Sequence, residues 1–238
     1  MHPKESKIMS EVSRCPFTWS LFIGSAALLV MQKRKSLSAA KESLPDACEV
    51  VFVLGAPGTG KGTQCQLLKD NLEGNWTHLS AGDLLREARD KGTGELADLI
   101  RAKMQAGEIV PSSITVKLLE NAMTKAYKET ESTRFLIDGF PRSHENLDAW
   151  EDAMKAHNVR FVLNFECPEE VLVGRLLERA KDSGRSDDKI EVIRKRFKTH
   201  VESCLPIIER FQSQGTVLHT IDSAKSVQQV YDSVTKLF

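Results

Sequence analysis

Gly55-Ala56-Pro57-Gly58-Thr59-Gly60-Lys61-Gly62-Thr63 places a lysine within a run of four glycines. Such a run has one obvious chemical use. Glycines let the backbone curl until successive N–H groups point inward at an anion. Apolar Val50–Leu54 precedes the run and a helix-like stretch, Gln64 to Leu72, follows it. The spacing therefore predicts strand, tight loop and helix start, with the partial positive charge of the helix N-terminus added to the cradle. Gly58, Thr59, Gly60, Gly62 and Thr63 would wrap a polyphosphate, and Lys61 would reach its terminal phosphates. The strict phosphate-loop pattern has Ser or Thr directly after the lysine to hold magnesium. Here that position is Gly62, so a magnesium ion would be held by phosphates, water and a carboxylate from elsewhere.

Two further groups fit a phosphate site. Asp138-Gly139-Phe140-Pro141-Arg142 ends an apolar run, Phe135–Ile137, so Arg142 is set on a rigid turn. An arginine fork binds phosphate oxygens in bidentate fashion, and Asp138 at a strand end could order the waters of a magnesium ion, with no direct metal ligand from the protein. Arg179, Arg185 and Arg196 surround the polar segment Ala180–Asp188, which reads as a lid. Phosphoryl transfer spreads charge over the phosphate oxygens and asks little covalent chemistry of a protein, so positioned cations dominate it. There is no GxSxG motif and no metal-binding histidine pair.

The elements that must carry these groups alternate. Strand-like runs at Val50–Leu54, Trp76–Leu79, Phe135–Ile137, Phe161–Phe165 and Val217–Ile221 are separated by helical periodicity, as at Ile114, Leu118 and Met123 or Leu172 and Leu176. Alternation of this kind predicts a parallel sheet with helices on both faces, and ligands on such sheets lie at the carboxyl ends of the strands. The glycine run, Ser80-Ala81-Gly82-Asp83 and Asp138–Arg142 would then meet in one crevice. The 238 residues suffice for one such domain plus extra segments. Lys+Arg and Asp+Glu balance at 33 each, which gives no nucleic-acid signal. Five scattered cysteines (Cys15, Cys48, Cys65, Cys167, Cys204) fit reduced thiols in an intracellular protein, and Cys65 reads as a buried structural thiol.

From Glu49 onward the chain resembles the nucleoside monophosphate kinases. The resemblance rests on Gly55–Thr63, Ser80-Ala81-Gly82-Asp83-Leu84-Leu85-Arg86, Gly107-Glu108-Ile109-Val110-Pro111, Asp138–Arg142 and Gly184-Arg185-Ser186-Asp187-Asp188, in that order, and covers about four fifths of the chain. It implies an α/β P-loop three-layer sandwich with a parallel sheet core, a helical monophosphate-binding insert at about 80–110 and a short lid at about 179–189. It implies ATP with Mg2+ as donor and a monomer in the cytoplasm, with the nucleus as a second location. By position, Lys61 would bridge donor and acceptor, Arg179 would sit by ATP, and the backbone near Lys225 would touch the adenine. Arg86 and Arg142 would hold the acceptor phosphate, while Arg185 and Arg196 would reach across the transferred group. Ala81, Gly139 and residues Glu108, Ile109 and Val110 would line the acceptor, with Asn146 at its base. Ala81 and Asn146 stand where adenylate kinases carry Thr and Gln, so the resemblance implies a pyrimidine acceptor, UMP or CMP. One amide able to present its oxygen or its NH2 would serve both bases. Ser143 stands where the family has Asn and would still hydrogen-bond a base or sugar, with a shorter reach, and Ala180 and Lys189 replace the lid's usual Gly and Asn. An adenylate kinase, or a membrane-tethered nucleotide-binding protein without catalysis, are the rival readings.

Residues 1–47 form a separate extension. Its segment 15–31 is nearly uncharged and precedes Lys33-Arg34-Lys35. A membrane anchor, a targeting segment (which Glu5 and Glu11 fit poorly) and upstream sequence before a start at Met31 all stay open.

Overall fold

The computed structural model describes residues 44–45, 47–183 and 189–238. The apolar segment 15–31 and residues 184–188 of the expected lid, Arg185 among them, lie outside the described residues. Among the described residues no helix is long and apolar enough to cross a membrane.

Five strands form one sheet in the order β2-β3-β1-β4-β5: β1 (Glu49–Gly55), β2 (Trp76–Ser80), β3 (Arg134–Asp138), β4 (Asn158–Glu166) and β5 (Leu218–Asp222). Every neighbouring pair is parallel. All five expected strands are present, each within a few residues of its sequence bounds. Alternation along β1 explains the layers. Val50, Phe52 and Leu54 join the core on one face of the sheet, whereas Val51 and Val53 join the core on the other.

The first face is covered by α4 (Ser112–Thr130), α5 (His144–Met154) and α8 (Leu205–Ser213), through residues such as Leu119, Trp150 and Phe211. The opposite face is covered by α1 (Lys61–Asn71) and α9 (Val227–Val234), through Cys65, Leu68 and Val230. Buried Cys65 is thus a structural thiol in this second core.

Two smaller cores stand away from the sheet. Leu85, Ile100 and Val110 join α2 (Ala81–Lys91) and α3 (Glu95–Ala106). Leu172, Leu176, Ile193 and Phe197 join α6 (Glu169–Ser183) to α7 (Ile190–Thr199), the arms on either side of residues 184–188.

One aromatic cluster anchors the turn that carries Arg142. The Phe52 ring lies 5.2 Å from Trp150, 5.9 Å from Phe140 and 6.0 Å from Phe211. Phe52, at the centre, is fully buried. Phe52→Ala should therefore lower unfolding free energy by about 3–5 kcal/mol, read as a shifted urea midpoint of the full chain with an unchanged slope; a loss under about 1 kcal/mol would show that the cluster can collapse around the cavity.

Candidate active site

The carboxyl ends of β1, β2 and β3 open into one crevice. After β1 the chain turns through Gly58 and Gly60 at φ 90° and 83°, left-handed values that favour glycine. A side chain on Gly58 would also press on Leu172 and Leu176 of α6, its Cβ meeting each at 3.1 Å. Gly60 then caps α1 without any side-chain bond, so the first N–H groups of that helix are left to an incoming anion.

Lys61, the first residue of α1, folds back over its own loop. Its Nζ donates to the Gly55 and Ala56 carbonyls, both at 2.9 Å, and to Thr59 Oγ1 at 3.2 Å. Burial pushes its pKa down to about 8; Arg142 and Arg196 push in the same direction, and Asp138 opposes them.

After β2, Ser80 caps α2 by accepting from the Asp83 N–H at 3.2 Å, which starts the helix that carries Arg86. After β3, Arg142 is held through its backbone as well as its side chain. Its Nε donates to Gly139 O at 2.7 Å, its N–H donates to Asn146 Oδ1 at 3.1 Å, and its carbonyl accepts from the Cys204 thiol at 3.3 Å.

Three cavities meet here. A crevice of about 330 Å³ is ringed by Lys61, Gly62, Thr63, Arg86, Asp138, Arg142, Arg179 and Arg196. A second, of about 360 Å³, is lined by Gly58, Thr59, Gly60, Arg179 and Lys225 and extends toward α9. The third holds Ala81, Arg86, Glu108, Ile109, Val110, Gly139, Arg142, Asn146 and Arg196. Every described residue expected at the acceptor therefore lines one cavity, and the expected donor residues line the other two. Arg86, Arg142 and Arg196 are shared between the third cavity and the crevice.

The structure differs from expectation at two polar residues. Asn146 is buried, and both ends of its amide are engaged: Oδ1 by the Arg142 N–H, and Nδ2 by Ser112 Oγ at 2.8 Å. A backbone N–H can only donate, so the amide has one orientation and does not present oxygen or NH2 at will. Ser143, expected to reach a base or sugar, instead caps α5, its hydroxyl accepting from the Asn146 N–H at 3.2 Å.

Other residues at the site escaped the sequence. Thr115 and Met104 line the third cavity. Thr199 Oγ1 donates to Gly107 O at 2.9 Å and so ties α7, with its Arg196, to the acceptor segment. A π-helical turn, His200–Cys204, joins α7 to α8 and lays His200 and Cys204 beside Lys61 and Arg142. Burial, then the nearby Lys61 and Arg142 charges, push His200 down to about 4, so the imidazole is neutral at physiological pH. Neither the π turn nor the Thr199 bond carries a periodicity signal. Ser112 did follow Val110-Pro111, a plausible helix start.

Comparison with known proteins agrees with this geometry. Residues 53–216 match the family described as adenylate kinase. UMP-CMP kinase of Danio rerio is 48% identical over 191 residues, covering 79% of this chain and 96% of the relative. The proteins of the same name from Gallus gallus and Homo sapiens are 45% and 44% identical over 191 residues, with the same coverage.

Lys61 yields a signed prediction. Its folded pKa of about 8 lies below the ordinary 10.5. The unfolded chain thus binds more protons between those values, and stability rises with pH across that window. Below pH 8 the penalty for holding the charged lysine is complete. Lys61→Met should be more stable than the parent by about 2 kcal/mol at pH 7, and the difference should shrink toward pH 10. Urea midpoints at several pH values measure this; an advantage that stays flat with pH would place the ammonium in a solvated position.

Proposed function

The chain belongs to the adenylate kinase family, and from that premise we propose that its site transfers the γ-phosphoryl group of ATP, carried with Mg2+, to UMP or CMP, giving ADP and UDP or CDP. It is a nucleoside monophosphate kinase. The observation that carries the pyrimidine reading is the joint occupancy of one cavity by Ala81, Asn146 and the 108–110 segment, opening through shared arginines onto the Lys61 crevice.

The geometry supports a division of roles. The glycine loop and the first N–H groups of α1 would hold the donor's β- and γ-phosphates. The Lys61 ammonium, now on the Gly55 and Ala56 carbonyls, would turn to the transferred group, where a phosphate charge is a better partner than neutral carbonyls. Arg86 and Arg142 would hold the acceptor phosphate. Arg196, shared by both cavities, would lie across the phosphoryl group in flight, and Arg185 of the lid would join it. Arg179 and the backbone at Lys225 would flank the adenine in the cavity toward α9. Such cations offset charge that spreads over the phosphoryl oxygens in the transition state.

The donor set suits a hydrated magnesium ion. Buried Asp138 faces the crevice at its Gly62 side, and buried His78 Nε2 has no hydrogen-bond partner and lies 3.8 Å from Asp138 Oδ2. Asp138 would hold metal-bound water there, Gly62 offering no hydroxyl. Magnesium, when bound, neutralises phosphate charge.

The kinase unit is proposed as a cytoplasmic monomer, since one chain supplies both subsites. Fractionation of the full-length and Met31-start forms would separate a membrane anchor at 15–31 from the other readings of that segment.

A coupled ADP-release assay, with ATP, magnesium and each of UMP, CMP, AMP and GMP, tests the proposal. UMP and CMP should turn over well above AMP, and Lys61→Met should fold yet lose at least about 10³-fold in kcat. Dominant AMP turnover would assign an adenylate kinase instead, and full activity in the lysine variant would remove Lys61 from the chemistry.

A further inference from the structure

Asn146 is the polar side chain that the acceptor cavity holds in one orientation, and the residue that completes its fixing is Ser112. The Asn146 side chain is 2% exposed. Its Oδ1 accepts from the Arg142 backbone N–H at 3.1 Å, and its Nδ2 donates to Ser112 Oγ at 2.8 Å. Ser112 opens α4, directly after the Glu108–Val110 segment that lines the same cavity. The bond therefore ties the start of α4 to the start of α5, the two elements that face an acceptor base.

A rotated amide would set an N–H against the Arg142 N–H, donor against donor, in a buried place. That arrangement loses one bond and leaves two donors unsatisfied. The orientation is thus dictated by the main chain, and Ser112 holds the nitrogen end in place. What the amide has left to offer from its nitrogen is the second Nδ2–H, a donor.

A fixed donor constrains how two pyrimidines can both be read. At position 4, uracil presents a carbonyl oxygen and cytosine an amino group. A donor aimed there would hydrogen-bond to the first and repel the second. At position 2 both bases present a carbonyl oxygen, which accepts a hydrogen bond equally well in each.

The geometry points to Ser112 as a positioning residue that holds Asn146 as a hydrogen-bond donor to the 2-carbonyl shared by uracil and cytosine. Dual acceptance then follows from reading what the bases have in common, with no rotation of the amide. This inference rests on the proposed UMP and CMP acceptance and assigns the means of it.

The test measures kcat and KM for UMP, CMP and ATP in the full chain and three variants. Ser112→Ala removes the hydroxyl and should raise KM for UMP and for CMP about tenfold each, with kcat and the ATP KM within about twofold and the UMP:CMP ratio of kcat/KM kept. Ser112→Thr retains the oxygen and should restore the acceptor KM. Asn146→Asp keeps the shape but supplies only acceptors, and should raise KM for both acceptors by about tenfold or more. A purely structural role for Ser112 would lower Tm and leave the acceptor KM of the folded fraction alone, and that result would overturn the proposal. A UMP:CMP ratio that moves more than about fivefold in Asn146→Asp would place the amide against position 4 and would overturn it too. A parent enzyme that turns over neither pyrimidine removes the functional reading and this inference with it, whereas a parent active on both with a silent Ser112→Ala removes this inference alone.

Discussion

Like charge gathered in a small space is the constraint on which the rest of this structure depends. Lys61, Arg86, Arg142, Arg179 and Arg196 all line one crevice of about 330 Å³. Two unit charges 4 Å apart repel by about 4 kcal/mol at an effective dielectric near 20. No local stretch of chain would hold such an arrangement by itself. The depressed pKa of Lys61 comes first from burial, to which Arg142 and Arg196 add while Asp138 opposes them. A crevice in that condition is a good host for a polyphosphate, whose charge offsets that of the gathered cations.

The framework holds the cations by mounting each on a separate rigid element. Lys61 starts α1, Arg86 lies in α2, Arg142 follows β3, Arg179 lies in α6 and Arg196 in α7. Parallel strands force this, because every crossover returns to the same edge and delivers its turn to the carboxyl ends. Packing then removes the freedom to drift apart. The Phe52, Phe140, Trp150 and Phe211 rings sit under the Arg142 turn. The Thr199 bond to Gly107 fastens the helix of Arg196 to the acceptor segment.

Periodicity and glycine placement made the frame legible. Alternating apolar residues in β1 announce a sheet covered on both faces, and Gly58 and Gly60 take the left-handed turns that a phosphate cradle requires. Lys61, Arg142, Arg179 and Arg196 stood out too, each beside a strand end or a polar break, whereas Arg86 was picked out by the family resemblance alone. Side-chain hydrogen bonds between distant elements were not legible. Asn146 and Ser112 are 34 residues apart, and nothing in either local sequence says that one amide will be claimed at both ends. A free amide suggests adaptability, whereas a claimed one is a fixed instrument. Ser143 was misread for a related reason: a serine before a helix is at once a reaching hydroxyl and an N-cap, and the backbone donors of α5 had the stronger claim. The π turn at His200–Cys204 breaks helical period without a proline or glycine to mark it.

Arg142 and Arg196 line both the proposed acceptor cavity and the crevice, and on the proposed roles they would couple the two ligands. Two bound nucleotides bring their phosphates together, and those anions repel as strongly as the cations do. Either ligand alone would engage only part of this shared set of cations. Interleaving shared cations between them turns two repulsive sets into one alternating set, in which each new phosphate meets arginine before it meets phosphate. The cost of bringing the reacting groups into line is thereby met when the chain folds, before either nucleotide arrives. On the proposed roles, a single neutral amide would then suffice at the acceptor base: the phosphate end would supply the attraction, and the base end would have only to choose.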